Sequence, residues 1–305
     1  MPCGSGCVAE AERLAPGLRR VLAPNPGRLT GPGTNSYIVG EGAVAVIDPG
    51  PDDRAHMAAL EAALAPNERI THVIVTHAHR DHSPLARPLS ARWGAPVVAF
   101  GDARAGRSPA LAALGDLGGG EGVDEGFRPD LRLGDSAVLE GAGWRLVALW
   151  TPGHMGNHIC LRWDDVVFSG DHVMGWATSL VSPPDGDMAA YMASLRRLQG
   201  VGARVFHPGH GDAVTDPAAR LAELIAHREG RAAQILAALE AEPQDIATLT
   251  GRVYAGLDPA LVAAAERNVL AHLIELCARG AVVAQPAPGP QAIYARAMRA
   301  DRGAR

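Results

Sequence analysis

Short apolar runs separated by Gly- and Pro-containing turns dominate the first two thirds of the chain. Residues 35–39, 43–47, 71–76, 96–100, 137–149, 159–162, 166–168 and 203–206 read as strands, since β-branched and aliphatic residues cluster there between turn formers. Helical spacing appears at 54–64, 84–93 and 187–198, with Asp52 or Asp53 capping the first and Asp187 the third. Strands outnumber helices, and the helices intervene irregularly. That order predicts an α/β (α+β) fold of two sheets with helices on their outer faces, not a doubly wound parallel sheet.

Residues 101–130 are rich in Gly, Ala and Asp, and predict a long loop with one short helix at 108–114. Loops of that length in a compact chain often cover a site. From residue 216 the pattern changes to three helices, 216–239, 246–254 (capped by Asp245) and 258–278, the last stopped by Gly280. Two short apolar runs, 281–284 and 292–294, flank a Pro/Gly turn, which completes a winged-helix pattern. The expected units are a flexible tip at 1–15, a first domain at 16–215, the linking helix with a winged helix at 216–297, and a flexible tail at 298–305.

Composition narrows the functional classes. The chain has 305 residues, 47% hydrophobic and 20% charged, as in a soluble globular protein. No run approaches the roughly 18 apolar residues of a membrane span. Residues 1–14 show no basic stretch followed by an apolar one, so no secretory leader is expected. All 28 basic residues are Arg, a bias that makes any single Arg less informative. The net charge of −5 offers no broad basic surface for nucleic acid. Cys3, Cys7, Cys160 and Cys277 form no disulfide framework, and a reducing, cytoplasmic setting is expected.

The chemistry concentrates in Thr76-His77-Ala78-His79-Arg80-Asp81-His82-Ser83, directly after an apolar strand. His77 and His79 project to one side in extended backbone. Imidazole nitrogens with a carboxylate are the donors that Zn²⁺ accepts. Three more strand ends deliver similar groups: Thr151-Pro152-Gly153-His154, Ser169-Gly170-Asp171-His172 and His207-Pro208-Gly209-His210-Gly211. Most of the chain's 12 histidines fall in these four places. Asp48 ends a strand and is a candidate to hydrogen-bond a ligand-bearing loop. His158 and His207 read as structural or rim residues, and His56, His72 and His272 as core or surface ones. Trp176 and Tyr191 are candidates for a pocket wall.

The series His77-x-His79-x-Asp81-His82, His154, Asp171 and His210 resembles the metallo-β-lactamase-fold hydrolases over about residues 16–215. Gly31–Tyr37, Ile47–Gly50, Thr151–His158, His227-Arg228 and the terminal winged helix resemble, more narrowly, the β-lactamase-like protein 2 group, relatives of glyoxalase II. The resemblance implies an αββα sandwich with a dinuclear metal site at one edge. It implies that His77, His79 and His154 hold one ion, that Asp81, His82 and His210 hold the second, and that Asp171 bridges them. The expected cofactors are two Zn²⁺, with Mn²⁺ or Fe²⁺ as alternatives. Asp171 also sets the chain apart from enzymes that open β-lactams, which generally lack an Asp there.

The implied activity is hydrolysis by a metal-bridging hydroxide, with a thioester or single-stranded RNA as substrate. Asp81 would orient or deprotonate the attacking water, Asp171 would hold the two ions, and His172 would stand near substrate. An RNA channel would need Arg80, Arg162, Arg196 or Arg197. The helix at 258–279 carries Arg267 and Arg279 against Asp258, Glu266 and Glu275, a poor balance for phosphate contact. Packing or shaping of the substrate cleft suits it better. No membrane partner is expected, and a homodimer is left open. The competing readings are a mononuclear iron oxidoreductase resembling persulfide dioxygenases and a non-catalytic winged-helix binding protein.

Overall fold

The computed structural model describes residues 11–115, 117–118 and 122–297. Cys3, Cys7 and the expected flexible tail at 298–305 lie outside the described residues. The chain runs β1 (Glu12–Ala15), β2 (Leu18–Leu22), β3 (Asn35–Val39), β4 (Ala43–Ile47), α1 (Arg54–Ala62), β5 (Arg69–Ile74), α2 (Ala86–Trp93), β6 (Val97–Ala99), α3 (Pro109–Ala112) and β7 (Leu131–Arg132). It continues with β8 (Val138–Gly141), β9 (Trp144–Trp150), β10 (Ile159–Trp163), β11 (Val166–Gly170), α4 (Met188–Gln199) and β12 (Val205–Pro208). The C-terminal part comprises α5 (Pro217–Ala238), α6 (Ile246–Val253), a 3-10 turn (Pro259–Leu261) leading into α7 (Val262–Ala278), then β13 (Val282–Gln285) and β14 (Ile293–Arg296).

Strands β1 to β7 form one sheet in sequence order, and β12-β11-β10-β9-β8 form a second. The two sheets face each other. Because side chains alternate along a strand, each sheet buries both faces. Val44 and Val46 of β4 pack outward with Leu60 of α1 and Leu89 of α2. Ala45 and Ile47 pack inward with Trp144, Leu146 and Phe168 of the second sheet. Val167 and Phe206 face outward onto Tyr191 and Leu195 of α4 and Leu221 and Leu224 of α5. The result is an αββα sandwich. A fourth cluster, with Ile235, Leu249, Leu273 and Tyr294, is the core of the winged helix.

Three helix starts follow the expected caps, and at a fourth Asp216 caps the helix whose first residue it was expected to be. The carboxylates of Asp53, Asp187, Asp216 and Asp245 accept from the backbone N–H of His56, Ala190, Ala219 and Thr248. Two expectations need correction. Residues 12–15, expected in the flexible tip, form β1 and pair with β2. Their polar sequences hide an edge hairpin that ion pairs support, Arg20 with Glu12 and Arg19 with Glu68 at 2.6 Å. The run 137–149 is two strands, since Gly141-Ala142-Gly143 turns the chain and Gly143 takes φ 79°.

Candidate metal centre and cleft

All the expected ligands leave the same edge of the sandwich. His77, His79, Asp81 and His82 follow β5, His154 follows β9, Asp171 follows β11 and His210 follows β12. Loops at strand ends carry sites because rigid sheets fix where the loops begin. His77, His79, His154 and Asp171 form one group of donors, and Asp81, His82, Asp171 and His210 a second, each with its donor atoms within 4.8 Å of one another. Asp171 is common to both. Its Oδ2 lies 3.8 Å from His154 Nε2, 3.9 Å from His77 Nε2 and 3.3 Å from His210 Nε2.

The ring nitrogens show which lone pairs are free. The His154 Nδ1–H donates to the Leu180 carbonyl at 2.6 Å, and the His210 Nδ1–H to the Gly33 carbonyl at 3.1 Å. His82 Nδ1 meets Asp48 Oδ2 at 2.9 Å. The Thr76 hydroxyl donates to Asp48 Oδ2 at 2.8 Å, so its oxygen accepts from His77 Nδ1 at 3.0 Å. Each of these four rings therefore turns Nε2 into the centre: His77 and His154 as bare lone pairs, and His82 and His210 toward the carboxylates of Asp81 and Asp171. His79 turns Nδ1 there instead, 3.0 Å from both His77 Nε2 and His154 Nε2. Bare lone pairs packed this closely repel unless a cation sits among them. Donors around a tetrahedral ion at about 2.0–2.1 Å stand about 3.3 Å apart, close to this spacing. The Asp171 Oδ1 is buried without a hydrogen-bond partner, as a ligand oxygen would be. The donor set thus fits divalent metal ions.

Electrostatics divides the two groups. Burial, reinforced by neighbouring rings, holds His77 well below the usual imidazole range and His79 down to about 3. Both stay neutral, as ligands must. Burial works the same way on His82 and His210, but the carboxylates of Asp81 and Asp171 overcome it. His82 rises well above its usual value, and His210 to about 10. The second group therefore attracts positive charge strongly.

Asp48 takes the expected anchoring place. It accepts from the Thr76 N–H at 2.7 Å as well as from the Thr76 hydroxyl and His82. It does so from a left-handed backbone, φ 50°, which is unusual for Asp and marks a held geometry. His172 differs from expectation. It is fully buried and packs against Tyr191 and His158, with ring centroids 4.6 and 5.5 Å apart, and it does not line the cleft. The hydrophobic strand end turns its ring inward, so the catalytic contact expected of it is corrected to a packing one. Tyr191 is also fully buried beside it, and only Trp176 forms a cleft wall. His158 is a buried support for the centre, bonded to Thr151 Oγ1 at 3.0 Å, and His207 packs on Tyr37 and Phe168.

Comparison with known proteins places this geometry. The metallo-beta-lactamase superfamily model matches residues 29–210. The chain belongs to that superfamily. It is a metal-site hydrolase by fold, and the beta-lactamase associated winged helix domain matches residues 246–288. A beta-lactamase-like protein 2 homolog from Caenorhabditis elegans is 30% identical over 286 residues, covering 90% of this chain and 89% of that one. An atrochrysone carboxyl ACP thioesterase from Aspergillus fumigatus is 31% identical over 240 residues, 76% of this chain and 68% of that one. The structure of a metallo-beta-lactamase family protein from Thermus thermophilus superposes with TM-score 0.74 at 28% identity, covering 93% of this chain and all of that one.

In this superfamily member the metal-binding edge opens into a cleft of about 570 Å³. His79, Asp81, His154, Asp171 and His210 reach into it. Of the expected lid, Gly122 and Val123 line the cleft, while residues 116 and 119–121 lie outside the described residues. Tyr254, Leu257, Leu261, Ala264, Ala265 and Asn268 line the opposite wall, so the winged helix shapes the cleft. The sequence pattern does not single out these six as cleft residues. The available signal is the 261, 264, 265, 268 stripe, one face of a helix at 3.6-residue spacing.

The buried Arg228 fixes that wall. It donates to the Ser179 carbonyl and, at 3.2 Å, to Asn268 Oδ1. The same Asn268 oxygen accepts from the Val181 N–H at 3.1 Å. Among the described residues that line the cleft the one Arg is Arg28, which is paired with Asp258. Arg80, Arg162, Arg196 and Arg197 do not line it. Arg196 is paired with Glu229 and Arg197 with Asp135, and Arg162 bonds the Asp164 carbonyl in the β10–β11 turn.

Proposed function

We propose that this chain is a dinuclear zinc-dependent thioester hydrolase. The observation that carries the reading is the cleft itself: an apolar wall beside two groups of metal donors, with one ion-paired Arg. A phosphodiester chain would need several free cations along its path. An acyl group needs apolar surface. The thioesterase among the relatives supports the same reading.

When bound, two Zn²⁺ ions polarise the carbonyl and bring water to the acidity needed at neutral pH. The protein does the rest. His77, His79 and His154 offer neutral imidazole, and Asp81, His82 and His210 offer a more anionic set, so the two sites differ in charge. Asp171, between them, holds both to one spacing. Asp81, a quarter exposed at its side chain, lines the cleft, which supports it as the residue that would orient or deprotonate the attacking water. Asp48 and Thr76 fix the ring planes of His77 and His82. Residues held in this way need no rearrangement during reaction.

A mononuclear iron oxidoreductase would leave Asp81, His82 and His210 without a role. A winged-helix binding protein would have no use for either donor group. A cytoplasmic setting accords with the free Cys160 and Cys277, and among the described residues no helix is long and apolar enough to cross a membrane.

The test assays the zinc-loaded protein on an acyl-thioester panel and on single-stranded RNA, with Asp81→Ala as control. Thioester turnover that is lost in the variant is the expected result. Turnover of RNA alone, lost in the same variant, would overturn the reading.

A further inference from the structure

Resting on the thioesterase reading, we infer that the winged-helix domain is the acyl-binding wall of this enzyme and that Ala264 sets the length of acyl chain it accepts. Leu261, Ala264, Ala265 and Asn268 form one stripe on α7 and the turn before it, all lining the cleft, with Leu257 beside them. Trp176 stands among the lining residues of the catalytic domain, with its indole over Gly31 and Gly211 and 46% of its surface exposed. An apolar face left open to solvent inside a cleft is unfavourable unless a ligand covers it.

The polar side chains of Asn268 and Arg267 are already committed. Both ends of the Asn268 amide are bonded within the protein, the oxygen to Arg228 and Val181 and the nitrogen to the Ala264 carbonyl at 3.2 Å. Arg267 is bonded to Ser182, to the Leu117 carbonyl and to Gly118. Among the described residues, Leu261, Ala264 and Ala265 therefore offer a ligand apolar contact area, with the Asn268 amide turned to partners within the protein and the Tyr254 hydroxyl the polar group at the stripe's edge. That suits an alkyl or aryl acyl chain, and not the amide-rich or charged thiol half of a thioester. The small Ala264, half-buried between Leu261 and Asn268, leaves the space that such a chain would fill.

Burial of a methylene is worth about 0.8 kcal/mol, or about fourfold per CH₂. In the zinc-loaded full chain, kcat/KM for thioesters of one thiol should climb by about that factor per methylene until the wall is covered. Non-hydrolysable alkyl thioethers of the same thiol, titrated calorimetrically, should show the same climb in affinity. Ala264→Phe should move the optimum to shorter chains and cut the octanoyl-to-acetyl ratio at least tenfold, and Leu261→Ala should move it to longer ones. Thioether affinity that is flat with chain length, or an optimum that neither variant moves, overturns the inference while leaving the hydrolase reading intact. Thioether binding that climbs with length while no thioester is turned over would overturn the hydrolase reading alone.

Discussion

At the scale of single residues, the centre depends on groups that never touch the cleft. Asp48 binds no ligand position, yet one carboxylate fixes Thr76 twice and His82 once. Asp48→Asn keeps the size and loses the charge that orients His82. Metal affinity should fall about 10- to 100-fold, as measured by competition with a chelator; unchanged affinity would show that the rings need no anchor. Gly209 matters for space. A Cβ there would fall on Asp171 Oδ1 and lie 2.7 Å from His82 Cε1. Gly209→Ala should cost about 1–3 kcal/mol in urea unfolding and displace the Asp171 carboxylate. His56 makes a pH prediction. Ser36 donates to the Asp48 carbonyl, so it accepts from His56 Nε2 at 2.8 Å, and Nδ1 is buried without a partner. Burial pushes His56 down to about 4, against a smaller upward pull from Asp53. An unfolded imidazole titrates near 6.5. Between these values the unfolded chain holds a proton that the folded one lacks, so stability rises with pH through the window and is lost as pH falls through it. Urea midpoints at pH 6.5 and pH 5 should drop less in His56→Gln than in the natural chain, and equal drops would refute the argument.

At the scale of elements, the junction between the catalytic sandwich and α7 rests on a buried cation that no carboxylate among the described residues pairs with. Arg228 is 1% exposed; its guanidinium donates to Ser179 and Asn268 and lies over the Tyr191 ring at 5.3 Å. Arg228→Met fills similar volume and leaves the Ser179 carbonyl without that donor. The change should cost about 1–3 kcal/mol and speed proteolysis between α5 and α6. A variant as stable and as resistant as the natural chain would mean that packing alone holds the wall. This junction was poorly legible in sequence, because Arg is the sole long cation of the chain and a buried one looks like any other. The ligand-bearing strand ends were legible, since His, Asp and Gly after apolar runs form a local signal. The β1–β2 hairpin was not. It is stabilised by pairing and by ion pairs with residues distant in sequence, which leaves little period-2 hydrophobic signal. His172 resembles its neighbour Asp171 in sequence, but both lie in the turn after β11, where the His172 N–H donates to the Ser169 carbonyl at 3.1 Å, and only Asp171 reaches the cleft.

At the scale of the whole molecule, the donor groups tie the two sheets together. His77, His79, Asp81 and His82 extend from the first sheet, and His154, Asp171 and His210 from the second. Ions bound between them would join halves that already meet through apolar packing and through hydrogen bonds such as those from the Tyr37 hydroxyl to the Pro208 carbonyl and from Trp144 Nε1–H to the Ala43 carbonyl. The winged helix is joined in turn to the second sheet's outer layer, where Ala271 of α7 shares a core with Tyr191 and Leu224. Metal binding to the folded state alone should therefore stabilise the entire chain, by about 2.7 kcal/mol per site at 100-fold excess over Kd. Thermal unfolding of the zinc-loaded protein should be one transition that moves down on chelation and returns as zinc is added back. Asp171→Ala should bind at most one ion and recover only part of the shift. If chelation instead split the melt, with a winged-helix transition that ignored zinc, the two domains would be thermally independent. The wall that α7 supplies would then be a surface that docks and undocks, and cleft shape would depend on temperature before the metal centre was lost.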